Sequence, residues 1–279
     1  MTTAYAISPD ARLERLPYDV YALRGALDAR TQTALARDVG ACASGGAGSV
    51  AWLSRAKASN HPTIIAAYGG SNGGTERPVR CQRACGLKRC VGACGREVGA
   101  LVEEPCEALS LARDVAREIS RRNGRDGAVG GLFDGDEPYE ASHFWALVYG
   151  LASGESTGQS KMSTHLDRPV GWTLSVSVGY SARMTLGRAP LAGEMYDKIG
   201  KDRAIDGQRE VEVEIRSGDC LLFRGDRVFH SVDGLSDAGA APKTWVQALT
   251  NDSAVDGYVP GRMALLFREE RETQGKPVR

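Results

Sequence analysis

The segment Lys161-Met-Ser-Thr-His165-Leu-Asp167 carries two metal-competent side chains two residues apart. In an extended segment the strand period of two puts the His165 imidazole and the Asp167 carboxylate on one face. Joined by a second imidazole from a neighbouring strand, such a pair makes the facial two-histidine, one-carboxylate set that holds non-haem Fe(II). That set leaves positions open for a co-substrate and O2. A lone His-x-Asp is common by chance, so the rest of the chain must supply a third ligand and an anchor. Histidine is scarce, with only His61, His143, His165 and His230 in the chain.

His230 is the candidate third ligand. It follows Ser217-Gly-Asp-Cys-Leu-Leu-Phe-Arg-Gly225, a tight turn running into an apolar strand. A double-stranded β-helix presents a distal ligand after such a segment, and only that kind of pairing brings residues so far apart in sequence together. The candidate anchor is Arg262-Met-Ala-Leu-Leu-Phe-Arg268. Six residues apart on a strand, the two arginines face one way with Cα atoms roughly 20 Å apart. A guanidinium directed into a barrel needs a carboxylate, and bidentate pairing suits it. A dicarboxylate such as 2-oxoglutarate meets that need; two surface arginines is the plainer alternative.

The elements that must position these groups divide the chain in two. In the N-terminal half, residues 1–17 show no periodicity and read as an extension, and Tyr18–Leu23 reads as a short strand. Asp28 suits the N-cap of a helix over 29–43. Leu109, Leu111, Ala112, Val115, Ala116 and Ile119 form an apolar stripe that predicts a helix over 108–122, ending at Asn123-Gly124. From Phe144 onward short strands dominate: 144–149, 173–178, 182–186, 210–215, 220–223, 244–249 and 262–267, with turn signals between them. The fold class is therefore α+β: a double-stranded β-helix, or jelly-roll, core with N-terminal helices packed on one face.

Composition narrows the partners. Lys plus Arg and Asp plus Glu both number 35, so no global field favours nucleic acid or membrane. No apolar run approaches the roughly 20 residues of a membrane span. No signal-like start precedes the first strand, and an intracellular protein, cytoplasmic or nuclear, is the expectation. Residues 57–99 read as a Gly- and Cys-rich insertion. Cys81, Cys85, Cys90 and Cys94 within it suit either a soft-metal site, zinc above all, or four free thiols. Arg80, Arg83, Lys88, Arg89 and Arg96 make the same stretch basic, a contact patch for nucleic acid or a plain solvated surface.

With these residues the chain resembles the AlkB-type Fe(II)/2-oxoglutarate-dependent dioxygenases. Their His-x-Asp, distal His and Arg-x5-Arg signature reads here as His165/Asp167, His230 and Arg262/Arg268. Leu174–Gly179 with Gly187, Gly218–Gly225 and the Tyr21–Asp28 stretch are also similar to the family. The likeness spans about residues 18–268, strong from 160 onward and weak between 45 and 140. It implies one domain over 1–268, followed by a disordered polar tail, 269–279. It implies iron on His165, Asp167 and His230. Arg262 would meet the distal carboxylate of 2-oxoglutarate with help from Tyr149, and Arg268 would lie beside Asp167 and the iron-chelating end. The implied activity is oxidative dealkylation of an N-alkyl carbon with release of aldehyde, using O2, on methylated DNA or RNA. Residues 50–80, with Trp52 and Tyr68, are lid candidates over a flipped base, and Arg183 is a candidate for the entrance.

The chain departs from the family at named positions. Leu147, Ala264 and Leu266 replace polar residues, which implies a drier co-substrate pocket, and Pro169 replaces an acidic base reader. The same oxygenase chemistry on a protein side chain or small molecule therefore stays open. So does a non-catalytic β-barrel that binds a partner, although the intact ligand set and both arginines argue against it.

Overall fold

The computed structural model describes residues 5–43, 62–68, 107–125, 132–133, 139, 141, 143–152, 161–167, 171–187, 210–236, 241–250 and 258–269. The chain opens with a hairpin, β1 (Arg12–Leu16) and β2 (Val20–Arg24), then a helix, α1 (Ala29–Ala43). Asp28 caps that helix by accepting the Thr31 N–H at 2.7 Å. A strand, β3 (Thr63–Tyr68), precedes the long helix α2 (Glu107–Arg125). Then come β4 (His143–Ala152), β5 (Met162–His165), β6 (Thr173–Gly179), β7 (Ala182–Leu186), β8 (Val211–Ile215), β9 (Cys220–Phe223) and β10 (His230–Leu235). A short helix, α3 (Trp245–Thr250), and the strand β11 (Tyr258–Arg268) complete the described chain.

Two antiparallel sheets result. One has seven strands in the order β1-β2-β9-β6-β11-β4-β3, the other four in the order β5-β10-β7-β8. From β4 to β11 the chain passes back and forth between them, so strands distant in sequence become neighbours. That strand order is a double-stranded β-helix. Alternation along the strands sorts two cores. Leu147 and Tyr149, Leu221 and Phe223, and Ala264 face Met184, Val213 and Val232 between the sheets. The other face of the same strands, with Leu174, Val176, Val178, Met263, Leu265 and Phe267, packs beneath the helices through Leu35, Val39, Val115 and Ile119. As the expected α+β class requires, the helices sit on one face. Among the described residues no helix is long and apolar enough to cross a membrane.

Four local expectations need correction. Residues 12–16 are not an extension but β1, paired in register with β2 from Arg12↔Arg24 to Leu16↔Val20. Residues 245–250 form a helix rather than a strand, because Trp245 and Leu249, four apart, bury one face. Helix α2 runs through Asn123-Gly124 to Arg125, with Arg15 Nη2 donating to the Asn123 carbonyl at 2.9 Å and Arg122 donating to the Ala11 carbonyl. Those bonds to the hairpin hold a last turn that local propensity would end. The polar tail also begins later than expected, since Glu269 is buried. Strand β3, inside the stretch read as an insertion, pairs with β4.

Asp219, buried in the turn between β8 and β9, ties the hairpin to the barrel. Its carboxylate accepts Gly25 N at 2.8 Å, Arg216 N at 3.0 Å and Arg24 Nη1 at 2.9 Å. Asp219→Ala strands two backbone donors and takes one partner from the Arg24 guanidinium, which keeps Glu14 and the Glu214 carbonyl, and should destabilise the fold by about 3 kcal/mol. A lowered urea midpoint at unchanged slope is the expected result.

Candidate metal centre

Strands β5 and β10 lie side by side in the smaller sheet with His165 opposite His230. The register sets the two imidazoles together, ring centroids 4.3 Å apart. Each ring is oriented by its own backbone. His165 Nδ1 lies 2.7 Å from the Ser163 carbonyl and His230 Nδ1 lies 2.9 Å from the Val228 carbonyl. A carbonyl can only accept, so both Nδ1 atoms carry a proton, and in the neutral ring Nε2 is the nitrogen that holds the lone pair. Phe223 stands edge-on to His230 at 5.1 Å and packs it further. Burial pushes the His230 pKa down to about 4, so the ring is neutral near pH 7, the state a metal ligand needs.

Asp167 completes the cluster. Its Oδ1 is 3.9 Å from His165 Nε2 and its Oδ2 is 3.9 Å from His230 Nε2. Among the described residues these three form the only group of three or more metal-competent side chains. Asp167 and His230 are nearly closed off, whereas the His165 side chain is 32% exposed. Access is therefore from the His165 side. Arg268 Nη2 donates to Asp167 Oδ1 at 2.7 Å and neutralises the buried carboxylate. The Arg268 guanidinium in turn lies over the Trp145 ring, 4.7 Å from its centroid. Asp167 Oδ2 is buried and, among the described residues, has no hydrogen-bond partner. Two imidazole nitrogens and one carboxylate oxygen converge within 4.8 Å of one another. A divalent cation satisfies all three, so these residues fit the iron that the ligand types imply.

Gly225 sets how close the backbone may come. The Asp167 N–H donates to the Gly225 carbonyl at 2.8 Å. A Cβ on Gly225 would lie 2.1 Å from Asp167 Oδ2, so only glycine leaves room for the carboxylate.

Deeper in the barrel, Arg262 is 1% exposed. Its Nη2 donates to Ser177 Oγ at 2.9 Å, and its guanidinium lies 5.1 Å from the centroid of the Tyr149 ring. Among the described residues Nε and Nη1 have no acceptor in hydrogen-bond geometry, and Tyr149 is the side chain that offsets the buried charge. Burial pushes the Arg262 pKa below its ordinary value and the Tyr149 pKa above its own. A buried cation with two orphaned donors is the environment that an incoming carboxylate would complete. Leu147 and Ala264 are buried beside Tyr149, and Leu266 packs against the same cluster, consistent with a dry pocket.

The structure thus brings His165, Asp167, His230 and Arg268 together, with Arg262 and Tyr149 paired further along the same interior. Cys81, Cys85, Cys90 and Cys94, the basic patch, Trp52 and Pro169 lie outside the described residues. Arg183 is exposed on β7. Gly225, Ser177, Phe223 and Trp145 were not singled out by sequence. Gly225 had a signal, a glycine ending the strand before His230, while the other three look like ordinary strand residues.

Fold and site together define a jelly-roll protein with a facial His-Asp-His cluster and a buried arginine beside Tyr149. No family model and no curated protein matches the chain. Among solved structures, it is similar to OsALKBH1, at 15% identity and a TM-score of 0.49, covering 93% of this chain and 100% of that one. A bsmA homolog from Methylobium petroleophilum PM1 is 13% identical with a TM-score of 0.26, covering 49% of this chain and 45% of that one. Neither likeness is close enough to support an argument, and the fold rests on strand order.

Two outcomes are expected. Gly225→Ala crowds Asp167 and should weaken divalent-metal binding by at least about tenfold, measured by calorimetric titration, with the far-ultraviolet circular dichroism unchanged. The second concerns pH. His230 in the folded state resists protonation down to about 4, while the unfolded chain takes the proton near the ordinary histidine value. The unfolded state therefore binds more protons between those values, and the metal-free protein should lose stability as pH falls from about 6.5 to about 4. The slope should reach roughly 1.4 kcal/mol per pH unit at most, and urea unfolding of His230→Gln should show a flatter profile.

Proposed function

We propose that the chain is an Fe(II)/2-oxoglutarate-dependent dioxygenase of the AlkB type that removes N-alkyl groups from methylated nucleic-acid bases. The observation that carries the reading is the pairing of two incomplete environments in one barrel. One is the cluster of His165, Asp167 and His230, whose ligand atoms converge within 4.8 Å; the other is the buried Arg262, two of whose donors have no acceptor in hydrogen-bond geometry among the described residues. A metal and a dicarboxylate are the two groups these environments lack.

In this reading His165, Asp167 and His230 hold Fe(II), and Arg262, aided by Tyr149, binds the far carboxylate of 2-oxoglutarate. Arg268 holds Asp167 by one oxygen and keeps the other directed at the cation. Leu147, Ala264 and Leu266 exclude water from the co-substrate, which strengthens its pairing with Arg262. The bound iron and 2-oxoglutarate supply O2-dependent hydroxylation of an N-alkyl carbon, with succinate, CO2 and finally an aldehyde as products. Substrate enters from the exposed side of His165.

Zero net charge favours a second reading, in which the same chemistry acts on a protein side chain or a small molecule. The decisive measurement incubates iron-loaded protein with 2-oxoglutarate and a panel of methylated DNA, RNA and peptides, and follows succinate and formaldehyde. Turnover on a methylated oligonucleotide is expected, and its loss in Asp167→Ala. Turnover on peptide alone would sink the nucleic-acid assignment while keeping the chemistry. Arg262→Gln should raise the KM for 2-oxoglutarate by about 10²-fold, as loss of a buried charge-assisted pair costs roughly 3 kcal/mol.

A further inference from the structure

Two consecutive residues at the end of β11 hold the two ends of the segment that leaves the metal centre. Arg268 reaches Asp167 Oδ1 at 2.7 Å. Glu269, next in the chain and buried, grips the start of β6. The ladder between β6 and β11 is in register as far as Arg268↔Thr173. One step further, two residues, Gly171 and Trp172, face Glu269 alone. Gly171 N donates to the Glu269 carbonyl at 3.0 Å, and Glu269 N donates to the Trp172 carbonyl at 3.1 Å. The remaining donor, Trp172 N, is taken by Glu269 Oε2 at 2.8 Å.

Two residues opposite one is the geometry of a β-bulge, whose extra residue falls outside the regular ladder pairing. A buried N–H needs an acceptor, and here a side chain supplies it. The fit is close on both sides. A Cβ on Gly171 would lie 2.2 Å from Glu269 Oε2, so the carboxylate occupies the space that the glycine leaves free.

Bulges re-aim the side chains beside them. The side chain beside this one is Arg268, and the residue it must reach, Asp167, lies four positions before Gly171. We propose that Glu269 is a positioning residue for the metal centre. Its carboxylate fixes the bulge at Gly171 and Trp172. The bulge sets where Arg268 presents Nη2, and so how Asp167 turns its free Oδ2 towards His230. Glu269 is not one of the residues assigned to hold the metal or the co-substrate. The inference rests on the metal reading above and extends it to a residue that the His-x-Asp, His and Arg pattern does not contain.

The test is titration of the full chain with Co(II), followed by calorimetry and by the visible d–d spectrum of the bound ion. Glu269→Leu removes the acceptor and should weaken Co(II) binding by about tenfold or more and shift the d–d bands, as loss of an outer-shell partner does. Glu269→Gln keeps an acceptor oxygen and should restore affinity and spectrum. Gly171→Ala displaces the carboxylate without removing it and should reproduce the loss, which keeps the proposal testable if the leucine variant does not fold. An unchanged affinity and spectrum in either folded variant overturns the proposal, and so does a glutamine variant no better than leucine. The metal reading fails by a different result: His165→Ala binding Co(II) as tightly as the unaltered chain removes the site itself.

Discussion

The pairing of Arg268 with Asp167 joins the two sheets at the point where the chemistry is expected. Arg268 belongs to β11 in the seven-stranded sheet, and Asp167 extends β5 of the four-stranded one. Both side chains are almost withdrawn from water. Neither charge would be stable there alone, because the desolvation cost of an isolated buried ion is several kcal/mol. Each therefore requires the other, and the spacing between the sheets at this end of the barrel follows from that requirement. The pair also divides the carboxylate between two tasks. One oxygen answers the guanidinium, and the other, without a hydrogen-bond partner among the described residues, lies beside the two imidazoles.

Around that pair the structure controls polar groups by leaving some unsatisfied and satisfying others completely. Asp219 accepts three donors and holds the hairpin and the β8–β9 turn as one unit. Gln32 and Ser217 bond each other at 2.6 Å, with Gln32 Nε2 donating to the Leu27 carbonyl and Gly179 N donating to Ser217 Oγ. Those networks sit on the helix side and are complete. Asp167 Oδ2 and two donors of Arg262 are buried without hydrogen-bond partners among the described residues. Native interiors avoid such atoms because each costs about 1–3 kcal/mol. Both lie beside side chains that could receive a ligand, Asp167 with the two imidazoles and Arg262 with Tyr149.

Much of the site is legible in the order of residues along the chain. His165 and Asp167 share a face because a strand has period two, and the scarcity of histidine makes His230 the natural partner. Arg262 and Arg268 share a face for the same reason. Where local pattern misleads, a helical or long-range contact has overridden it. Trp245 and Leu249 carry a four-residue spacing in a segment short enough to pass for a strand. Helix α2 passes Asn123-Gly124 because Arg15 takes up its Asn123 carbonyl and its own Arg122 donates to the Ala11 carbonyl. Strand β1 has no apolar alternation of its own and exists by pairing with β2.

Sequence alone determined the residue types of the ligand set, their shared faces and the α+β class, since these follow from covalent spacing and the periods of strand and helix. Only the tertiary structure decided which atoms are left without partners. The register of β5 against β10 placed His165 beside His230. The approach of Gly225 showed why no side chain fits there, and the bulge opposite Glu269 appeared only once β6 and β11 were paired. The physical reason is one of range. Periodicity acts over a few residues, whereas register, burial and hydrogen-bond satisfaction depend on strands brought together from opposite ends of the chain.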